Sequence, residues 1–301
     1  MTKEGLQAKE GSLEIPITKT IQEFLDYKER GVDQPPLQRD SLAAYNSDLK
    51  QFSNFCQEKG IVNLSQLRPS DIQDFPQSLA AKNYAESSVA RKTAVIREYL
   101  KHCGIVHGLP QEFADSLPEI KVEEGERQYL TLEEAEKLMQ QSIKRMETTK
   151  EPKKEIAALR DAVLIHLALK TGALVSEIVE LKGKNVSKTN GSFLVEFRRG
   201  KKLRKRQLDI QTSSLLLEFL SRTQLEPDEY LFSAQRNNLE HLSRQGFWFI
   251  LKSYDKEISP RTLRNTYAKH FFEGETPEEL AIQLGLVNSH AASRFLKGVG
   301  R

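Results

Sequence analysis

The chain has 301 residues, 38% of them hydrophobic and 29% charged, with a formal net charge of +3. This balance suits one large folded domain or two ordinary ones and excludes a disordered, low-complexity polymer. No apolar run approaches the roughly 20 residues of a membrane helix, the charged start lacks the core of a signal peptide, and Cys56 and Cys103 are too few for a disulfide framework. The expectation is a cytoplasmic protein with buried, reduced thiols.

After a tail at residues 1–14, an opening helix fits Thr18–Arg30. Leu42, Tyr45, Leu49, Phe52 and Cys56 then recur at steps of three and four, an amphipathic helix ended by Gly60. Two more helices fit Ser70–Lys82 and Glu86–Cys103; on the latter, Val89, Ile96, Leu100 and Cys103 form a buried face, and Arg97 and Lys101 sit one turn apart on another. Together they predict a four-helix bundle over residues 15–108. Residues 109–128, with Pro110, Pro118 and six acids, read as an acidic linker.

The second domain is expected over residues 129–301. Thr131-Leu-Glu-Glu134 is a capping box opening a helix, Ile156–Leu169 predicts another, and Thr171-Gly172 ends it before a further helix near Val175. Strands are expected only at Ser192–Phe197 and Leu203–Ile210, joined as a hairpin at Arg199–Lys202, with helices again after Thr212. The fold class is therefore mainly α with a small β-hairpin.

Charge is unevenly divided. Residues 109–128 carry −4 and residues 129–301 carry +7, from 29 basic and 22 acidic side chains. Seven of the nine residues from Arg198 to Arg206 are basic: Arg198, Arg199, Lys201, Lys202, Arg204, Lys205 and Arg206. Such density calls for a counter-charge, and nucleic-acid phosphate supplies one; a solvated hairpin tip is the bland alternative.

Three motifs carry a resemblance. The chain reads Thr171-Gly172-Ala173-Leu174-Val175-Ser176-Glu177, then Gly200-Lys201-Lys-Leu-Arg-Lys-Arg206, then Arg261-Thr-Leu-Arg264-Asn265, followed by Leu284-Gly285-Leu286 and, nine residues later, Phe295. In order and spacing this resembles the tyrosine recombinase (phage integrase, Xer-like) family. Ser41-Leu-Ala-Ala-Tyr45-Asn-Ser-Asp48-Leu49-Lys-Gln-Phe52 is similar to the second helix of that family's core-binding domain, and Glu86–Leu100 to its last long helix. The resemblance implies a two-domain architecture, a helical-bundle core-binding domain plus a catalytic-type domain.

It also implies a chemistry that this chain only partly keeps. The family cleaves a phosphodiester without metal or cofactor, using two arginines, a hairpin lysine, two imidazole-type donors and a nucleophilic tyrosine. On these residues Lys201 and Arg264 stand at retained positions. Leu174 stands at the first arginine, Arg261 at the first histidine, Leu286 at the second imidazole and Phe295 at the tyrosine, so four of six positions have changed. His290 lies one turn past Leu286, but adopting it would put Val299 at the tyrosine position; Tyr267 is the last tyrosine.

Removing one oxyanion-type donor costs about 10² to 10³ in rate, whereas without a nucleophile no covalent intermediate forms. The expectation is a non-catalytic double-stranded-DNA-binding member, an accessory or regulator in recombination or integration. Arg198, Arg199, Lys201, Lys202, Arg204, Lys205, Arg206, Arg261, Arg264, Arg97 and Lys101 would contact DNA, with an active recombinase or copies of itself as protein partners. The alternatives are an active or partner-complemented recombinase, and a helical protein-interaction module.

Overall fold

Aromatic side chains at helical spacing pull the first half of the chain together. The structure is a computed structural model and describes residues 13–32, 34–37, 39–122, 128–200, 202–233, 240–286 and 288–296. By its contacts the chain divides into two units, Met1–Gly125 and Glu126–Arg301.

In the first unit, α1 (Ile17–Arg30), α2 (Arg39–Glu58), α3 (Pro69–Ala81) and α4 (Glu86–His107) enclose Phe24, Phe52, Phe75 and Tyr99, each almost wholly buried. Phe52 and Phe75 meet edge to face at 5.2 Å, an arrangement favoured by the ring quadrupoles. The Tyr99 hydroxyl shares a 2.6 Å hydrogen bond with Thr20 Oγ1, so this phenol is buried without being orphaned. Cys56 and Cys103 are free and buried, and burial pushes both thiols up to about 12.

One carboxylate lies inside this bundle. Asp48 on α2 is 1% exposed and receives Lys92 Nζ at 2.8 Å and Arg91 Nη2 at 2.9 Å, both from α4. The pairing ties α2 to α4 by charge as well as by packing.

The stretch expected to be a linker begins as part of this core. Leu109, Ala114 and Leu117 are buried and Phe113 and Ile120 pack against the same cluster, with a short helix α5 at Glu112–Asp115. Leu109, Phe113, Leu117 and Ile120 keep helical steps of four, four and three, a pattern that Pro110, Pro118 and the acids obscure. Arg97, expected to contact DNA, is half-buried against this segment. Its Nη2 donates to the carbonyls of Leu117 and Pro118, both at 3.0 Å, so it anchors the segment after α5.

The second unit is built around α7 (Pro152–Thr171), in which every residue from Asp161 to Leu169 is buried. Helices α6 (Leu132–Thr148), α9 (Ile210–Thr223) and α11 (Pro260–Thr266) pack on it. A three-stranded antiparallel sheet, in the order β1 (Val186–Thr189), β2 (Ser192–Arg199) and β3 (Lys202–Gln207), covers one flank. β1 was not expected, yet Asn190-Gly191 with φ of 44° and 83° is the left-handed pair that joins hairpin strands. β3 ends three residues earlier than expected, because the Asp209 carboxylate accepts the Thr212 amide at 2.7 Å and starts α9.

The remaining helices are α8 (Val175–Val179), α10 (Arg244–Lys252), α12 (Pro277–Leu284) and α13 (Ser289–Leu296), and a π-helical turn, Tyr267–Phe271, continues α11. A smaller apolar cluster of Tyr267, Ala268, Leu280, Ala281, Leu284 and Ala292 holds α12 and α13 to that turn. Among the described residues no helix is long and apolar enough to cross a membrane.

Two buried polar groups make testable demands. Asp48→Ala leaves Lys92 buried without a counter-charge, and the expected cost to the first unit is about 3–5 kcal/mol, measured by denaturant unfolding. His166 on α7 is fully buried, and desolvation lowers its pKa to about 4. The unfolded chain therefore binds a proton that the native state refuses as pH falls from about 6.5 to about 4, and roughly 3 kcal/mol of stability is lost over that window. His166→Leu is expected to flatten the loss, read from unfolding midpoints at neutral and mildly acidic pH.

Candidate functional site

The site starts where α7 stops. Thr171 Oγ1 donates to the Leu167 carbonyl at 2.6 Å and accepts the Ala173 amide at 3.2 Å, tightening the turn. Gly172 ends the helix at φ 59°, and a Cβ there would lie 2.3 Å from the Tyr267 ring, so no larger residue fits. The turn delivers Leu174 to the N-cap of α8, half-buried, its amide donating to Glu177 Oε2 at 2.7 Å. Glu177 does for its helix start what a capping-box carboxylate does, but no side-chain oxygen answers it at position 174.

Glu177 is 4% exposed and needs a counter-charge. Arg204 from β3 supplies it, with Nη2 2.5 Å from Oε2, its guanidinium 4.8 Å above the Phe197 ring and Nη1 on the Gln283 carbonyl at 2.7 Å. Side chains alternate along β3, and Arg206 points the same way as Arg204. Its Nη2 donates to the Tyr267 hydroxyl and, at 2.8 Å, to Gln283 Oε1; the Tyr267 hydroxyl in turn donates to that same oxygen.

Arg264 completes the constellation from α11. It is 7% exposed, with Nη1 on the Gly172 carbonyl at 2.5 Å and Nη2 on the Leu284 carbonyl at 2.8 Å. Gln283 and Leu284 are the last residues of α12, whose terminal carbonyls have no partner within the helix and carry the negative end of its dipole. Two arginines from elsewhere in the unit thus cap one helix. Burial lowers the Arg264 pKa to about 10; Glu177 opposes that shift, while Arg204 and Arg199 add to it.

The expected site residues therefore fall into three groups. Arg264, Arg204 and Arg206 are brought together with Glu177, Tyr267 and Gln283, and their guanidinium groups are engaged by protein oxygens. Arg204 and Arg206, expected to contact DNA, are half-buried and take part in this network. Leu286 and Phe295 form the second group, packed half-buried on the apolar cluster around Tyr267.

The third group is exposed: Arg198, Arg199, Lys202, Lys205, Arg261 and, in the first unit, Lys101. Lys201 lies outside the described residues. Sequence reasoning did not find Gln283 or the partnership of Tyr267 with Arg206. Tyr267 is 1% exposed, and burial raises its hydroxyl above the ordinary phenol range. Among the described residues no group of three or more His, Cys, Asp or Glu side chains could hold a metal ion.

Comparison with known proteins fits this arrangement. Residues 128–293 match the model described as the phage integrase family, and residues 18–103 match the phage integrase N-terminal SAM-like domain. The chain belongs to the phage integrase family, the tyrosine recombinases. It is 31% identical to tyrosine recombinase XerC of Herpetosiphon aurantiacus over 280 residues, 88% of this chain and 86% of that one. It is 30% identical to tyrosine recombinase XerD of Listeria monocytogenes over 269 residues, 84% of each chain. A lambda integrase dimer bound to a COC′ core site has a similar fold, with a TM-score of 0.69 at 15% identity, covering 100% of this chain and 83% of that one.

Within this member of the tyrosine recombinase family, the Glu177–Arg204 pair is nearly buried, with side chains 2% and 10% exposed. Glu177→Ala is expected to destabilise the second unit by about 3–5 kcal/mol, and an apolar pair, Glu177→Leu with Arg204→Met, to recover only part of it, because the Leu174 amide and the Gln283 carbonyl lose their partners. Denaturant unfolding of the single and double variants checks this.

Proposed function

We propose that this chain is a DNA-binding tyrosine recombinase family member that does not itself cleave DNA and serves as an accessory or regulatory protein in recombination or integration. One observation carries the reading. Position 295, where the family resemblance calls for the nucleophilic tyrosine, is a phenylalanine, and its ring packs on the apolar cluster beside Leu286. A ring without a hydroxyl attacks no phosphorus, and positioning elsewhere does not replace the bond it fails to make.

Other substitutions point the same way. Leu174 offers no donor to a phosphate oxygen, and Arg261 holds an anion but passes no proton near neutral pH. Binding is a separate matter. Arg198, Arg199, Lys202 and Lys205 remain exposed on the hairpin, Arg261 is exposed at the start of α11, and Lys101 is exposed on α4. These cations suit duplex phosphates, and the lambda integrase structure of similar fold is bound to a DNA core site. Its protein partners would be further copies of itself or an active recombinase, and its place the cytoplasm.

The test begins with gel shifts on genomic fragments flanking the gene, and footprinting of the shifted band gives the site. Affinity should fall linearly with the logarithm of salt concentration, with a slope of roughly −0.9 per phosphate contact. Charge reversal at Lys202 and Lys205 is expected to flatten that slope; unchanged binding would favour a protein-interaction module. On a nicked suicide form of the site no covalent adduct is expected. A covalent adduct of the unaltered chain would overturn the proposal. The combined change Leu174→Arg, Arg261→His, Leu286→His and Phe295→Tyr is expected to yield one.

A further inference from the structure

Helix α11 buries more polar side chains than its own backbone can satisfy. Thr262, Arg264, Asn265 and Thr266 are buried, four of its seven residues, and each needs a partner away from water. Thr262 finds Ser259, and Arg264 finds the Gly172 and Leu284 carbonyls. The other two reach for the chain that enters the second unit. Asn265 Nδ2 donates to the Gln128 carbonyl at 2.8 Å. Thr266 Oγ1 accepts the Leu130 amide at 2.9 Å and donates to the Thr262 carbonyl at 2.8 Å.

Residues 128–130 belong to no helix or strand, yet they are held at several points. The Tyr129 ring meets His270 edge-on with centroids 5.9 Å apart, and Lys269 Nζ stands 5.2 Å from the Tyr129 centroid. The same three residues therefore cover both α11 and the π-helical turn that continues it. A segment that only joined two folded units would leave its backbone to water. The covered arrangement also carries a cost, since His270 Nε2 is buried with no hydrogen-bond partner among the described residues. Tyr129 is 44% exposed, and a helix as short as α11 owes its stability to what packs on it. Few contacts to break, and a buried atom that gains from breaking them, describe a segment that opens locally.

We infer that residues 128–130 are a clasp over α11 and the turn after it, and that Tyr129, Asn265 and Thr266 are positioning residues for Arg261 and Arg264. Closed, the clasp keeps α11 docked, with Arg264 on its two carbonyls and Arg261 exposed at the helix start. Open, Asn265 loses its acceptor and α11 loosens. The segment between the two units thereby governs a helix of the candidate site. The inference rests on the DNA-binding reading only for what Arg261 does once it is held.

Hydrogen exchange of the full chain, read peptide by peptide, tests the clasp, and anisotropy with a labelled duplex from the flanking fragments tests its effect on binding. Tyr129→Ala alters no residue of α11, Thr266→Val removes one oxygen at nearly constant shape, and Thr266→Ser returns that oxygen. Exchange across residues 260–271 should rise on the order of tenfold in Tyr129→Ala and Thr266→Val, fall back in Thr266→Ser, and hold in α7 and α9 throughout. Duplex affinity should drop about three- to tenfold in the first two variants and recover in the third. Faster exchange at the Leu130 amide alone overturns the inference, because the segment is then a passive connector. A rise spread evenly over the second unit also overturns it, because the residues are then merely structural. Wild-type affinity in variants whose α11 exchanges faster removes the positioning role. If the unaltered chain binds no duplex, the DNA-binding reading falls, and exchange alone decides the clasp.

Discussion

The second unit depends on how one helix is allowed to end. α12 stops inside the protein, and carbonyls at its C-terminus would each carry a desolvation cost of about 1–3 kcal/mol if left unpaired. Arg204 and Arg264 meet the last two, Gln283 and Leu284. Those arginines are themselves charges out of water and need compensation. Glu177 supplies it for Arg204, and the Gly172 carbonyl gives Arg264 a second acceptor. The turn after α7, the third strand and helices α8, α11 and α12 are thereby made mutually dependent. Removing any member leaves a buried charge or a buried carbonyl exposed to the cost.

This dependence bears on how the retained arginine is interpreted. A guanidinium that caps α12 and braces the Thr171-Gly172 turn would be kept for folding alone, whatever becomes of cleavage. Arg264 therefore does not argue for a working active site. Leu174 and Phe295 carry more information, because no fold requirement seen here asks for an arginine or a tyrosine in their place. Leu174 needs only its backbone amide to start α8, and Phe295 needs only its ring to pack.

Much of the fold was legible because apolar spacing fixes which face is buried. The bundle helices and α7 follow from steps of three and four, and the hairpin from its basic turn. What was missed has identifiable causes. β1 is only four residues long with three exposed, too short for alternation to register, although Asn190-Gly191 announced its turn. Residues 109–117 were hidden by prolines that punctuate the segment without unfolding it. The hairpin cations could be counted but not sorted, because strand alternation sends Arg204 and Arg206 inward while Lys205 stays out, and only the position of α12 says what they meet. The partners of Arg97 were missed for the same reason: they are backbone carbonyls, which no side-chain pattern advertises.

Stability and strand cleavage draw on different atoms of the same residues. The framing sequence around Leu174 persists because Gly172 must clear the Tyr267 ring and Glu177 must balance Arg204, and neither demand involves a substrate. At Leu286 and Phe295 the demand runs toward apolar packing, which a histidine or a tyrosine hydroxyl would serve less well unless its polar atom found a partner. Exposed cations meet no such demand, so phosphate binding from the surface does not depend on how those positions are filled. The physical asymmetry is between groups that must be buried in order to work and groups that work from the surface, and it separates gripping a nucleic acid from cutting one.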